Sequence, residues 1–340
     1  MIPDKLNLAQ LPTPLQFLPR LSAELAGPRI WVKRDDLTGC AASGNKVRKL
    51  EFVLARAIAE GADTLLTCGG LQSNHCRATA VLGAQLGLKV HLILRGEAPE
   101  QPPDGNLLLD SLVGAEISCY PQNQYQHLPE LIGHWLDFYR SRGRKPFVIP
   151  TGASDGIGIW GYLHSVSELV CQFRELDIKP DAIVCATGSG GTQAGLTLGC
   201  HLSQLDIPVM GFAVCDDAAY FHNKIIEDIS DWTRRYGTSV DMTQVAIQVN
   251  DRYIGPGYGR ATAEVFSAIR HMASLEGLIL DPVYTGKAFY GMVEEIKAGA
   301  FQGASDIVFI HTGGLFGLYA QRDELGIQLK SSTSGLIDLY

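Results

Sequence analysis

Short apolar runs alternate along this chain with longer stretches whose apolar residues recur at helical spacing. That alternation predicts βαβ units and a mostly parallel sheet. From about Lys46, the residues Leu50, Val53, Leu54, Ala57 and Ile58 follow the i, i+3, i+4, i+7 pattern of one helix face, and Gly61 supplies a stop. A strand over Thr64–Cys68 runs into Gly69-Gly70, followed by a helix from Asn74 to Leu86 and a strand over Lys89–Arg95. Further strands are expected at Glu116–Tyr120, Pro146–Pro150, Ala182–Ala186, Pro208–Val214 and Asp306–His311. The polar stretches Gly96–Gly105 and Pro121–Gln126 read as surface loops, and Thr151–Gly158 reads as a crossing between domains. The segment Lys330–Gly335 reads as a loose tail. The fold class is α/β.

Length changes this picture by asking for more than one core: 340 residues exceed what a single core usually holds, so two domains are expected. Composition is that of an ordinary globular protein, with 46% hydrophobic and 19% charged residues. A net charge of −8 without a basic cluster gives nucleic acid no electrostatic footprint. No apolar run approaches the roughly 20 residues that a membrane helix needs. The opening segment has no charged region leading into an apolar core, so no secretory leader is expected and a cytoplasmic protein is the working reading. Eight cysteines without a CxxC pair, several inside apolar runs, suggest reduced buried thiols and not a disulfide frame. The nine histidines form no HExxH, and no metal is expected.

Candidate chemistry gathers at a few glycine-rich turns. In Ser43-Gly-Asn-Lys-Val-Arg-Lys49 a lysine lies in the first turn of a helix, near the positive end of its dipole, which disfavours its charged form. A Schiff-base lysine must supply a neutral amine. A plain surface lysine is the alternative. In Gly69-Gly-Leu-Gln-Ser-Asn-His75, the start of a helix offers backbone N–H groups to a carboxylate. Gln72, Ser73 and Asn74 add side-chain donors, although Ser73 could merely cap the helix. Ala186-Thr-Gly-Ser-Gly-Gly-Thr192 follows an apolar strand and could cradle a phosphate. It is neither a Walker loop nor a complete dinucleotide fingerprint, because Gln193 stands where the third glycine is needed. Asp216 beyond the next strand keeps a nucleotide-dependent oxidoreductase as a weak rival. Tyr258 and Tyr284 sit among glycine and proline, at loops that could expose their rings. Thr312, before Gly313-Gly314, lies at the end of a strand, where open α/β sheets bind ligands.

Taken together, these segments resemble the D-cysteine desulfhydrase and 1-aminocyclopropane-1-carboxylate deaminase family of pyridoxal-phosphate enzymes. The resemblance runs from Leu11-Pro-Thr-Pro-Leu15 through Trp31–Asp36 and the Lys46 motif to His311-Thr-Gly-Gly314. It implies fold type II: two open, twisted α/β domains with mostly parallel sheets and the cofactor between them, usually as a homodimer. Residues 1–46 and 156–340 would form the large domain, and 47–155 a smaller insertion. By matching position, Lys46 should carry the pyridoxal 5′-phosphate, with Lys49 structural. Asn74 should bond the ring 3′-oxygen, and Gln72 and Ser73 should lie on the substrate side. Ser189, Gly190, Gly191 and Thr192 match the phosphate cup, and Tyr258 and Tyr284 the active-site tyrosine pair. Members that open the cyclopropane ring carry Glu after the second tyrosine and Leu before the final Gly-Gly. Thr285 and Thr312 stand at those places here, as in desulfhydrases. Two neutral hydroxyls beside the pyridine nitrogen imply a weaker electron sink, suited to a good leaving group.

The implied reaction is β-elimination from D-cysteine to pyruvate, ammonia and hydrogen sulfide, a small amino acid being the substrate. Opening of the cyclopropane ring, or elimination from another β-substituted alanine, is the alternative within the family. A non-catalytic protein that merely binds pyridoxal phosphate is the alternative outside it.

Overall fold

The computed structural model describes residues 2–327, so the segment Lys330–Gly335 lies outside the described residues. Among the described residues, ten strands form two sheets. The larger contains β1 (Leu15–Phe17), β2 (Arg29–Lys33), β7 (Ala182–Thr187), β8 (Val209–Ala213), β9 (Gln248–Asn250) and β10 (Asp306–Ile310). Its order is β1-β2-β10-β7-β8-β9, parallel except for β1 against β2. The smaller is all parallel, in the order β5-β4-β3-β6, from β3 (Thr64–Gly70), β4 (Lys89–Arg95), β5 (Glu116–Tyr120) and β6 (Pro146–Val148). Central strands such as β7 and β10 are buried at every position. That is why they read as continuous apolar runs: helices cover both faces of a parallel sheet.

The helix Asn45–Ala59 buries Val47, Leu50, Val53, Leu54 and Ala57, while Ile58, near its end, remains 42% exposed. The helix Asn74–Gln85 and the strand Lys89–Arg95 lie where the periodicity puts them. Three strands carry too little pattern to be seen: β1 and β9 have three residues each, and β2 ends in a lysine. Lys33 is nonetheless fully buried, because Glu168 and Gln172 receive its ammonium. The expected loop Pro121–Gln126 instead contains a one-turn helix, Gln122–Tyr125, which swings Tyr125 towards the other sheet. Thr151–Gly158 leads from β6 of the smaller sheet to the helix Trp160–Glu175, whose following strand β7 belongs to the larger.

One apolar cluster runs through both parts, joining Leu65, Val90 and Leu92 of the smaller sheet to Val47 and Leu50 and on to Trp160 and Ile229. Four of the eight cysteines are buried, Cys68, Cys76, Cys185 and Cys200, and all eight are free thiols. No helix among the described residues is long and apolar enough to cross a membrane.

Candidate active site

The strands of both sheets end on one cavity of about 560 Å³. Gly69, Gly70 and Arg95 close it from the smaller sheet, Ala186 and Thr187 from the larger. Carboxyl ends of parallel strands are where open α/β sheets place ligands.

Lys46 lies on the wall of this cavity, in the first turn of its helix. The helix begins at Gly44 with φ of 92°, and a Cβ there would stand 2.6 Å from the carbonyl of Thr312. Only glycine lets the chain pass so close, and the N–H of Asn45 donates to that same carbonyl (3.1 Å). The Lys46 ammonium has no hydrogen-bond or carboxylate partner among the described residues, and burial lowers its pKa to about 8. Burial is the cause of the shift, since taking an ammonium out of water disfavours its charged form. Lys49, one turn on, is fully buried and off the cavity wall. Its amine donates to the carbonyl of Gly152 (2.8 Å) and to Ser154 Oγ (3.1 Å). Arg48 faces the opposite way, into a buried network with Asp35 (2.7 Å) and Glu168 (3.0 Å). Three neighbouring cations thus have three separate settings, and only Lys46 meets the cavity.

At the turn after β3, Ser73 does both things foreseen for it. Its hydroxyl caps the helix by accepting from the N–H of Cys76 (3.2 Å), and it lines the cavity. Asn74 also lines the cavity, oriented by a chain of hydrogen bonds. Arg77 Nε donates to Asn106 Oδ1 (2.9 Å), and Asn106 Nδ2 donates to Asn74 Oδ1 (3.0 Å). A guanidinium only donates, so it sets the Asn106 amide; Asn106 in turn uses up the Asn74 oxygen. The Asn74 NH₂ is left to point into the cavity. Gln72, expected on the substrate side, turns away instead: its amide bridges Asp104 O (2.9 Å) and the N–H of Asn106 (2.8 Å). The backbone bends towards the cavity at Gly70, but the Gln72 side chain closes the loop behind it. His75 is buried and held neutral, its pKa well below the usual value because of burial, and its Nε2 meets Thr67 Oγ1 at 2.7 Å.

Across the cavity, the turn after β7 is mostly backbone. Gly190, with φ of 86°, caps the 12-residue helix Gly191–Leu202. Ser189, Gly190 and Thr192 line the cavity. Thr192 Oγ1 accepts from Asn45 Nδ2 (2.9 Å), which leaves its own hydrogen free. Gly191 is the exception among the four residues expected here. Its N–H donates to Ser154 Oγ (3.2 Å), and it does not reach the wall. Packing behind the wall demands glycine at this position, because a Cβ there would stand 2.6 Å from Lys49 Nζ. Gln193, where a dinucleotide fold needs glycine, is buried between Thr187 Oγ1 (2.7 Å) and the carbonyl of Gln248 (2.7 Å).

Tyr258 and Tyr284 share a hydrogen bond between hydroxyls (2.7 Å), their rings set edge to face. Burial raises both pKa values, that of Tyr284 well above the usual phenol range. The loop under Tyr258 is tied down by Lys287, whose amine donates to the carbonyls of Val214 (3.0 Å), Ile254 (2.7 Å) and Gly257 (2.8 Å). Thr312 lines the cavity. Thr285 does not. It is fully buried and its hydroxyl donates to Asp281 Oδ1 (2.7 Å), part of the cap that opens the helix Thr285–Lys297. The pairing of two threonines beside one ring nitrogen therefore loses one member.

Sequence reasoning missed Arg95, Tyr125, Asn106, Arg77 and Lys287. Arg95 closes an apolar strand at its carboxyl end, a position that does signal a ligand site. The others carry no local signal. No cluster of His, Cys, Asp or Glu suited to a metal occurs among the described residues.

Comparison with known proteins agrees with this geometry. The family model described as pyridoxal-phosphate dependent enzyme matches residues 6–313. A Thermotoga maritima protein named putative 1-aminocyclopropane-1-carboxylate deaminase is 45% identical over 94% of this chain and 99% of its own. An Arabidopsis thaliana protein named bifunctional D-cysteine desulfhydrase/1-aminocyclopropane-1-carboxylate deaminase, mitochondrial, is 43% identical over 94% of this chain and 80% of its own. The solved structure of an ACC deaminase homologue superimposes with a TM-score of 0.87 at 39% identity, covering 95% of each chain. A cavity at the ends of two largely parallel sheets, with a lysine that has no partner among the described residues and a glycine-lined helix start opposite it, accords with fold type II, and the chain belongs to the pyridoxal-phosphate-dependent family.

Proposed function

We propose that this enzyme is a lyase that eliminates the β-substituent of a small amino acid, D-cysteine foremost, yielding pyruvate, ammonia and hydrogen sulfide. The cavity residues fit the cofactor. Lys46 offers an unpaired amine of lowered pKa, and Gly152 leaves room beside it, since a Cβ there would stand 3.2 Å from Lys46 Nζ and 2.3 Å from Ser189 Oγ. When bound, pyridoxal phosphate supplies the electron sink that lets an amino acid lose its α-proton and then its β-substituent.

The protein's own residues do the rest. Lys46 would hold the cofactor covalently. Ser189, Thr192 and the N–H groups around Gly190 would hold its phosphate at a helix start. The Asn74 NH₂ would donate to the ring 3′-oxygen. Ser73 and the opening N–H groups of the helix Asn74–Gln85 would receive the substrate carboxylate. Tyr258 and Tyr284 stay protonated at neutral pH, so their pair can donate one hydrogen towards a departing thiolate. Thr312 would leave the pyridine nitrogen beside a neutral hydroxyl, which favours loss of a stable anion over opening of a carbon ring.

The observation that carries this reading is Lys46, the one amine of the Lys46–Lys49 segment that meets the cavity, with no partner among the described residues to neutralise it. The test is a panel of D-cysteine, L-cysteine and 1-aminocyclopropane-1-carboxylate, scored for keto acid. D-cysteine should be fastest and the cyclopropane slow or inert. Equal rates on D-cysteine and the cyclopropane substrate refute the neutral-hydroxyl argument. Preference for the D-isomer rests on the relatives alone. We further assign residues 47–155 to an inserted domain. The protein would act in the cytoplasm, where its eight free thiols stay reduced. It would be a homodimer, for which exposed Leu108, Leu112, Leu315 and Tyr319 offer apolar surface.

A further inference from the structure

Three cations reach the cavity wall among the described residues: Lys46, Lys224 and Arg95. Lys46 is assigned to the cofactor, and Lys224 is paired with Asp228. Arg95 has no carboxylate or hydrogen-bond partner among the described residues. Its guanidinium lies instead between two tyrosine rings, 5.1 Å from the centre of Tyr258 and 5.8 Å from that of Tyr125. Two aromatic faces orient a guanidinium without neutralising it, and they shield it partly from water. A positive charge held this way at the end of a parallel strand is suited to an anionic ligand.

The strand register says where that ligand sits. Arg95 is the Cα partner of Gly70, the residue from which the Ser73 turn departs. Neighbouring strands run about 4.8 Å apart. An anion bound by Arg95 would thus share the cavity with a carboxylate held at Ser73, reached from the neighbouring strand of the same sheet. Tyr258 connects the two places, since a Cβ on Gly70 would stand 3.2 Å from its ring. Behind Arg95 the chain turns at Gly96, with φ of 140°, where a Cβ would meet Leu71 at 2.7 Å; this fixes the direction in which the strand ends.

We infer that Arg95, flanked by Tyr125 and Tyr258, is a second anion subsite that receives the β-substituent of the substrate. The substrate class is then β-substituted alanines whose substituent is an anion or leaves as one. In the elimination the carbon–sulfur bond breaks, its electron pair stays on sulfur, and the hydrosulfide departs towards the Arg95 charge. This inference rests on the function proposed above, and the test separates the two.

D-aspartate, D-asparagine and D-alanine carry no leaving group and serve as competitive probes, read both from inhibition of D-cysteine turnover and from the visible absorbance of the lysine-bound cofactor. The ratio of the D-asparagine to the D-aspartate inhibition constant is internal to each variant, so general damage cancels. It should be tenfold or more in the wild type and fall to within about twofold of unity in Arg95→Gln. It should persist in Lys224→Met. A ratio near unity in the wild type, a ratio unchanged in Arg95→Gln, or loss of the ratio in Lys224→Met alone overturns the subsite. Failure of all three amino acids to perturb the absorbance, or absence of that absorbance, overturns the functional reading together with it.

Discussion

Two strand-to-helix turns face each other across the cavity, at the carboxyl ends of β3 and β7, and they are built on opposite plans. The turn after β7 presents backbone and two hydroxyls, with Gly190 in a left-handed conformation at the helix start. Its binding capacity is local, because N–H groups at a helix end point outwards whatever lies around them. The turn after β3 presents side chains whose direction is imposed from elsewhere. The Asn74 amide faces the cavity as a donor because Arg77 orients Asn106 and Asn106 orients Asn74. Under the proposed function, many modest donors would share the load at the first turn; at the second, one amide depends on a relay. The first should therefore tolerate single changes and the second should not.

The largest effect is expected between the two turns, at Lys46. Lys46→Ala should abolish turnover and the borohydride-reducible link to the cofactor, whereas Lys49→Met should retain that link while lowering thermal stability. A link retained in Lys46→Ala and lost in Lys49→Met would show that the wrong lysine has been placed at the centre.

Asn106→Asp comes next and tests the relay. The new carboxylate still accepts from Arg77 but offers no donor to Asn74, so the Asn74 amide should reverse and present its oxygen to the cavity. One charged hydrogen bond contributes about 1.5–3 kcal/mol. Titration of the apo-protein should show cofactor affinity lowered by about tenfold to a hundredfold, with an altered pH dependence of the visible absorbance. Unchanged affinity would mean that Asn74 is oriented without Asn106.

Thr192→Val tests the opposite plan and should do less, because the backbone donors around Gly190 remain. A loss of up to about tenfold in cofactor affinity, with turnover at saturating cofactor nearly kept, is the expected outcome. A loss as large as that of Asn106→Asp would erase the contrast between the turns.

The smallest effect is in pH. The Lys46 pKa is lowered from 10.5 to about 8 by burial, so the neutral amine is a minor form at pH 7 and dominant above pH 8. The rate at which apo-protein captures pyridoxal phosphate should rise about fivefold from pH 7 to 8 and level off above about pH 9. A rate still climbing tenfold per unit up to pH 10 would mean that the amine keeps the ordinary lysine value.

The same contrast explains how much of the molecule was legible beforehand. Continuous apolar runs announce β3, β4, β7 and β10, because parallel strands buried on both faces need apolar residues throughout. The glycines at 44 and 190 announce close approach and positive φ at their own positions. Hence the turn after β7 could be marked from the residues as a candidate phosphate cradle, whereas Lys46 stayed open between a Schiff-base and a surface lysine until the family resemblance chose between them. Gln72 and Gly191 stand in the right segments, but a motif of consecutive residues does not say which side chains turn inwards or which backbone N–H groups stay free; that of Gly191 is taken by Ser154. Thr285 likewise has the right residue type in the right segment, and its hydroxyl is taken by Asp281.

By itself the sequence determined what depends on neighbours along the chain: which stretches are strands, where glycine permits a sharp turn, and which lysine opens a helix. Tertiary structure alone decided what depends on residues far apart in that order. It brought Tyr258 to Tyr284, set Asn106 against Asn74, closed the loop under Tyr258 with Lys287, and left Arg95 between two rings with no counter-charge among the described residues. The physical reason is that the direction of a hydrogen bond, and whether a buried charge has a partner, are properties of the space around a side chain.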